Sequence, residues 1–410
     1  MSYNVYDILQ ERGFIAQVTD EDALRKILDE EQVTFYIGYD ATADSLHAGS
    51  LVTIMAMMHL QRAGHRPIGL VGGGTTMVGD PSGKTEMRQM LTAVEIQANV
   101  NKLHAQLNYY LHFDENKAVA ANNADWLLTL NYITFLRDVG RHFSVNRMLT
   151  AEAYKQRLER GLNFIELNYQ ILQAYDYLIL YQRYGCTLQM GGDDQWGNLL
   201  AGVDLIRRVE SVTVHAMTYP LLTTAGGAKM GKTAAGAVWL DKDKCSAYDY
   251  YQYWVNCDDR DVEKLLKIFT FLPMDEIKRL SGLEGAELRK AKQILAYEAT
   301  VITHGEAEAE AAQQAARAAF AEGGDLGAMP ATNIAQTRLE EGVGVLEIFT
   351  EVGLTQSRGE ARRMLQQGGI YVNDRRIDQV DARLSAKDIT PDGVLLRAGK
   401  KKYHRLVVEA

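Results

Sequence analysis

Cysteine is scarce in this sequence. Its 410 residues hold three, Cys186, Cys245 and Cys257, none within metal-ligand spacing of another. That pattern argues against a disulfide framework and against a zinc site, so no metal ligands are expected. No apolar run approaches the roughly 20 residues that a bilayer-crossing helix needs. The opening residues show no basic segment leading into an apolar stretch, so no secretory leader and a cytoplasmic location are expected. Positive charge is not in excess either. Lys+Arg 44 against Asp+Glu 53 leaves −9, which argues against a general nucleic-acid binder.

What is present is an ordinary globular composition, 47% hydrophobic and 24% charged. The length is too great for one core, so two or three domains are expected. Charge is unevenly spread. Residues 354–410 hold 12 Lys/Arg and 7 Asp/Glu, a net +5, and the rest carries −14. An acidic body with a basic tail fits an anionic partner for the tail, or simply an uneven solvated surface.

Hydrophobic patterning predicts strands at 33–39, 67–72, 187–190 and 237–240, with a helix over 50–63 between the first two. Strands separated by helices imply a mostly parallel α/β sheet, with ligands at the carboxyl ends of its strands. Helices are expected at 262–272, 274–280 and 286–320. The expected organisation is a nucleotide-binding α/β domain at 1–225, a glycine-rich loop returning to the sheet at 226–245, a helical domain at 246–322, a linker at 323–342 and a small α+β module at 343–410.

One motif match misleads. Gly226-Gly227-Ala228-Lys229-Met230-Gly231-Lys232-Thr233 satisfies the phosphate-loop expression. That loop works only with a helix directly after it, so that backbone N–H groups and the helix dipole converge on phosphate. Here a strand-like run follows within a few residues, and no helix fits. What remains is a glycine-rich loop with two lysines three apart, which either closes over a polyphosphate or is a solvated surface loop.

Three other clusters sit where a sheet would present them. Residues 38–50 join a strand to a helix and include Thr42 and His47, an anion site or a capped surface turn. Gly49 permits close approach of a flat ligand such as adenine. Tyr169, Gln173 and Asp176, at i, i+4 and i+7, share one helical face amid apolar neighbours, which favours a polar cavity. Gly191-Gly192-Asp193-Asp194-Gln195-Trp196-Gly197 follows a strand and is too glycine-rich for packing alone.

Together these motifs resemble the class I aminoacyl-tRNA synthetases. His47-Ala48-Gly49-Ser50 is similar to their HIGH signature, and Lys229-Met230-Gly231-Lys232-Thr233 to KMSKS. Tyr36-Ile37-Gly38, Gly79-Asp80-Pro81-Ser82-Gly83-Lys84, the Tyr169–Asp176 stripe and Gly192-Asp193-Asp194-Gln195-Trp196-Gly197-Asn198 resemble the bacterial tyrosyl branch. Ser357-Arg358-Gly359-Glu360-Ala361-Arg362-Arg363 and Gly369-Ile370-Tyr371-Val372-Asn373 resemble an S4-type RNA-binding module. One departure stands out: Ser50 replaces the family's second histidine.

The resemblance implies a Rossmann-like catalytic domain that activates tyrosine with ATP and magnesium and transfers it to tRNA(Tyr). It further implies a homodimer with no membrane association. By resemblance, Thr42, His47, Lys84, Arg88, Lys229, Lys232 and Thr233 serve catalysis. Tyr36, Asp80, Tyr169, Gln173, Asp176, Gln189 and Gln195 hold tyrosine. Gly38, Asp40, His47, Gly49, Ser50, Thr53, Gly192, Asp194 and Lys232 hold ATP. Arg358, Arg362, Arg363, Lys400, Lys401 and Lys402 grip tRNA. A phosphate-loop NTPase and a relative that has lost catalysis are the rival readings.

Overall fold

The computed structural model describes residues 4–82, 90–114, 117–159, 161–233, 236–285, 287–318, 330–373, 375–390, 393–399 and 402–409. Lys84, Arg88, Lys400 and Lys401 lie outside the described residues, as do the side chains of Lys232 and Thr233. The chain divides into two compact units. The first comprises 1–232, 239–241 and 263–278, and the second 233–238, 242–262 and 279–410.

The first unit is built on a six-stranded sheet. Its strands are β1 (Gln17–Val18), β2 (Thr34–Asp40), β3 (Arg66–Gly72), β4 (Val119–Asn122), β5 (Cys186–Gly192) and β6 (His215–Tyr219). Their spatial order is β1-β6-β5-β2-β3-β4. All neighbours pair in parallel except β1, which runs antiparallel to β6. From β2 the chain winds outward through β3 and β4, then crosses back to lay β5 and β6 on the other side. The direction of winding therefore reverses between β2 and β5, which opens a crevice beyond their carboxyl ends.

Two helices fix what faces that crevice. Leu51–Arg62 begins just after the 47–50 turn and is largely apolar on all sides, with Ile54, Met55, Ala56 and Met57 fully buried. Phe164–Tyr184 starts with a capping box between Asn163 and Glu166 and stops where Gly185 turns left-handed at φ 66. Glu166 also meets Arg157 at 2.8 Å, both side chains almost wholly buried. A buried charge needs such a partner, and the pair locks the start of the helix that carries Tyr169, Gln173 and Asp176.

Residues 263–278, expected in the helical domain, instead pack with the sheet unit. Arg12, 6% exposed, holds them by donating to the carbonyls of Lys267 and Thr270 at 2.9 and 2.8 Å.

The second unit contains the helices Ala247–Val255, Leu288–His304 and Glu306–Ala318. The single helix expected over 286–320 is two, because Gly305 at φ 90 interrupts it. The stretch expected as a linker also differs. Ala331–Ala335 is a strand parallel to Lys402–Glu409, and Gln336–Glu340 is a short helix. Ile334 and Leu339 are buried in the C-terminal core beside Phe349 and Leu365, so this stretch begins the module.

Candidate active site

At the carboxyl end of β2, Asp40 accepts from the Tyr169 hydroxyl at 3.1 Å and from the Thr75 hydroxyl at 2.8 Å. The amide of Asn123, just past β4, donates to Thr75 at 2.9 Å and to Asp176 at 2.8 Å. Trp126 Nε1 donates to the other Asp176 oxygen at 2.7 Å. A second chain of bonds adjoins these. Gln195 donates to Asp80 at 2.7 Å, while Asn198 donates to Gln173 and to Gln195, each at 3.1 Å. The helical stripe, the turn after β3, the end of β4 and the segment after β5 thus meet in one polar crevice.

Burial sets the electrostatics. Asp176 is 2% exposed, and loss of water pushes its carboxyl up to about 7. The bonds from Asn123 and Trp126 pull the other way and hold it there. Tyr169 is raised well above an ordinary phenol, by burial first and then by Asp40 and Asp80, so it stays a neutral donor. Among the described residues, two buried polar atoms in this region have no hydrogen-bond partner, the Tyr36 hydroxyl and Gln189 Oε1. They lie on directly paired residues of β2 and β5. The Tyr36 phenol also feels the Asp176 charge. Orphaned buried groups are costly and call for an explanation, of which an absent ligand is one.

Beside this end the crevice becomes open. Gly38 is the one exposed residue of β2, so the central strand presents bare backbone there. Thr42 is exposed. His47 Nδ1 accepts from the Gly49 N–H at 3.0 Å. The glycine-rich loop folds as a hairpin, with Thr224 N bonded to Ala228 O and Met230 N to Leu222 O. Its backbone then lies on the 47–49 turn. A Cβ on Gly49 would meet the Met230 carbonyl at 2.6 Å, and one on Gly231 would meet Gly49 N at 2.3 Å. Both positions therefore require glycine. Among the described residues no helix follows the loop; Lys232–Thr233 and Gly236–Ala237 are extended, which excludes the phosphate-loop geometry.

Asp194 lies open at the end of β5, and a Cβ on Gly192 would strike its carboxylate at 2.6 Å. The surrounding protein and the Asp80 charge raise the Asp194 carboxyl, while Lys229 lowers it. Ser50 makes no capping bond with its side chain. The Thr53 hydroxyl, expected to face nucleotide, donates to Ser50 O at 2.7 Å and meets the Tyr39 hydroxyl at 2.9 Å.

In the C-terminal module Arg358, Arg362, Arg363 and Lys402 are all exposed, and Arg358 is bridged to Glu347 at 3.0 Å. Sequence reading missed Thr75, Asn123, Trp126 and Asn198 as members of the crevice. Only Asn198 carried a visible signal, as part of the motif that follows β5.

Known proteins carry the same pattern. Residues 28–321 match the model of class I tRNA synthetases for tryptophan and tyrosine, and 326–406 match the C-terminal domain of tyrosine–tRNA ligases. The chain is 52% identical to the tyrosine–tRNA ligase of Clostridium tetani, covering 100% of both, and 54% identical to that of Lachnoclostridium phytofermentans, covering 98% and 99%. Among solved structures, the C-terminally truncated mitochondrial tyrosyl-tRNA synthetase of Aspergillus nidulans superposes with a TM-score of 0.69 at 32% identity, over 77% of this chain and 93% of that one. With a family model spanning most of its length and relatives that match it end to end, the chain belongs to the class I tRNA synthetases and, within them, to the tyrosine–tRNA ligases.

Proposed function

We propose that the crevice binds tyrosine at its buried end and ATP at its open end, and joins them as tyrosyl-adenylate before transfer to tRNA(Tyr). The observation that carries this reading is the orphaned Tyr36 hydroxyl beside Asp176. A substrate phenol placed between them would donate to Asp176 and accept from Tyr36, satisfying both. Asp80, Tyr169 and Gln173 then surround the substrate ammonium, with Gln195 steadying Asp80.

The tyrosine carboxylate attacks the α-phosphorus, and pyrophosphate leaves. The nucleophile is ionised at neutral pH and needs no base. The site has to align it and to offset charge growing on the leaving phosphates. Thr42, His47 and the lysines of the glycine-rich loop are suited to that, and Lys84 and Arg88, outside the described residues, are assigned to it by resemblance. Gly49 and Gly38 admit the nucleotide closely, and Asp194 faces its ribose. Magnesium would arrive on the ATP phosphates. Among the described residues no cluster of His, Cys, Asp or Glu is arranged to hold a metal ion by itself.

Arg358, Arg362, Arg363 and the 400–402 lysines are assigned to tRNA phosphates. No described helix is long and apolar enough to cross a membrane. The 128–165 segment exposes Leu128, Ile133, Leu158 and Phe164, the last 68% exposed, and we assign this apolar surface to a homodimer contact.

The test is pyrophosphate exchange into ATP with tyrosine, phenylalanine or tryptophan, and tRNA charging by the full chain and by a fragment ending at Ala318. Exchange with tyrosine by both proteins, and charging by the full chain only, is the expected outcome. Tyrosine-independent ATP hydrolysis would instead revive an NTPase reading. RNA binding without exchange would mark a relative that has lost catalysis.

A further inference from the structure

The C-terminal sheet packs one face on the core of the module, and its other face carries arginine and tyrosine side chains. Its strands Arg375–Arg376, Ile370–Val372, Val394–Ala398, Lys402–Glu409 and Ala331–Ala335 lie side by side in that order. Ile370, Val372, Leu396 and Leu406 point into the core with Ile348 and Phe349 of the helix Val345–Glu351. The alternate residues point away. Across the strands, Arg376 pairs with Tyr371, Tyr371 with Arg397, and Arg397 with Tyr403. The Arg397 guanidinium lies 3.6 Å from the centre of the Tyr371 ring and 5.9 Å from that of Tyr403. Arg405 follows two residues along on the same face.

This is a row of planar groups, tyrosine and guanidinium in alternation, on a face that carries three arginines. Among the described residues the one acidic position on that face is Glu409, the last of its strand and paired with Ala335 at the sheet edge. The helix bearing Arg358, Arg362 and Arg363 is different. Glu360 lies within it, and Glu347 already bridges Arg358. Of the two surfaces the sheet face alone carries aromatic rings. Tyr403 bears on the phenol of Tyr248 in the helix Ala247–Val255, whereas Arg376 at the other end is exposed. The accessible end is the one at Tyr371.

We propose that this sheet face is a stacking platform for an unpaired base of the tRNA, with Tyr371 and Arg397 as its planes and Arg376 and Arg405 on the flanking phosphates. Every base has a flat face, so unpaired nucleotides stack on tyrosine rings and guanidinium planes, and a cationic surround holds their backbone. The platform rests on the tRNA reading above and adds a second contact, distinct from the 358–363 arginines.

The experiment measures tRNA(Tyr) binding by the full-length chain across a salt series, with tyrosine-dependent pyrophosphate exchange as the check on the rest of the molecule. Tyr371→Leu is expected to weaken binding about tenfold with the salt slope unchanged, and Tyr371→Phe to bind like the parent. Arg397→Lys, which keeps charge and loses the plane, is expected to weaken binding several-fold. Arg362→Ala with Arg363→Ala should lower the salt slope instead. Parent-like binding by both Tyr371→Leu and Arg397→Lys, with the double arginine variant weakened, overturns the platform and leaves the tRNA reading standing. Equal losses in Tyr371→Phe and Tyr371→Leu also overturn it, because a hydroxyl contact rather than stacking would be responsible. A parent chain that binds no tRNA overturns both readings together.

Discussion

The two ends of the crevice are built on opposite plans. The end we propose for tyrosine is buried and already bonded to itself: Asp176 is fixed by Asn123 and Trp126, and Asp40 by Thr75 and Tyr169. The end we propose for nucleotide is open backbone, with Gly38 bare on the central strand and the Met230–Gly231 backbone resting on Gly49. A rigid polar end suits discrimination, because a ligand lacking the right group leaves a buried partner unsatisfied. An open, glycine-lined end suits a ligand whose charge changes during reaction. On the proposed reading, recognition and catalysis rest on different physical foundations within one site.

The sharpest test of that division is His47→Ala. It should lower the activation rate by about 10²–10³-fold while leaving tyrosine affinity near the parent value, as read by pre-steady-state fluorescence and equilibrium dialysis. A matching loss of tyrosine affinity would erase the boundary between the ends. Asp176→Asn makes the complementary case. Tyrosine affinity should fall by about 10–100-fold, the range for a hydrogen bond to a charged group, and preference over phenylalanine should shrink with it.

The same residue predicts a pH effect. Its folded carboxyl is raised to about 7. As pH falls through that value Asp176 takes up a proton and loses an acceptor, so tyrosine binding should weaken below pH 7. The stability sign is reversed. A raised carboxyl favours the native state at low pH, and that contribution is lost as pH rises through about 7. The parent should therefore lose stability between about pH 6 and pH 8 in thermal melts, and Asp176→Asn, which does not titrate, should lack that part of the pH dependence.

A smaller effect is expected from Trp126→Phe, which removes one donor. Tyrosine affinity should fall by about tenfold, and the pH midpoint of binding should move upward. Smallest of all is Thr53→Ala. Because its hydroxyl is taken up by Ser50 and Tyr39, the KM for ATP should change by less than about threefold, with a loss of about 1 kcal/mol in stability. A large rise in KM would show that Thr53 turns toward nucleotide and compensates for Ser50.

The sequence disclosed most of this site because its residues fall into short runs at strand ends. Helical spacing puts Tyr169, Gln173 and Asp176 on one face, and their phenol, amide and carboxylate groups favour a cavity over solvent for that face. Asn123 and Trp126 carry no such signal. They follow a four-residue strand rich in alanine and small residues, Val119–Asn122, which carries little β signal, and nothing local marks them as partners of a helix some 50 residues away. The helix break at Gly305 was hidden because alanine and glutamate run on both sides of it. The strand Ala331–Ala335 was missed for lack of apolar residues, since only Ile334 of its five is buried. Low apolar density marks an edge strand as readily as it marks a tether.

The way residues 263–278 return to the first unit bears on how this enzyme can be dissected. The chain leaves that unit and comes back before leaving again, and Arg12 clasps the returning turn through main-chain oxygens that no side-chain replacement elsewhere can supply. A protease nick in the 242–262 excursion should therefore leave the two pieces tied, separable only after denaturation. The shortest self-sufficient catalytic piece ends no earlier than Lys278.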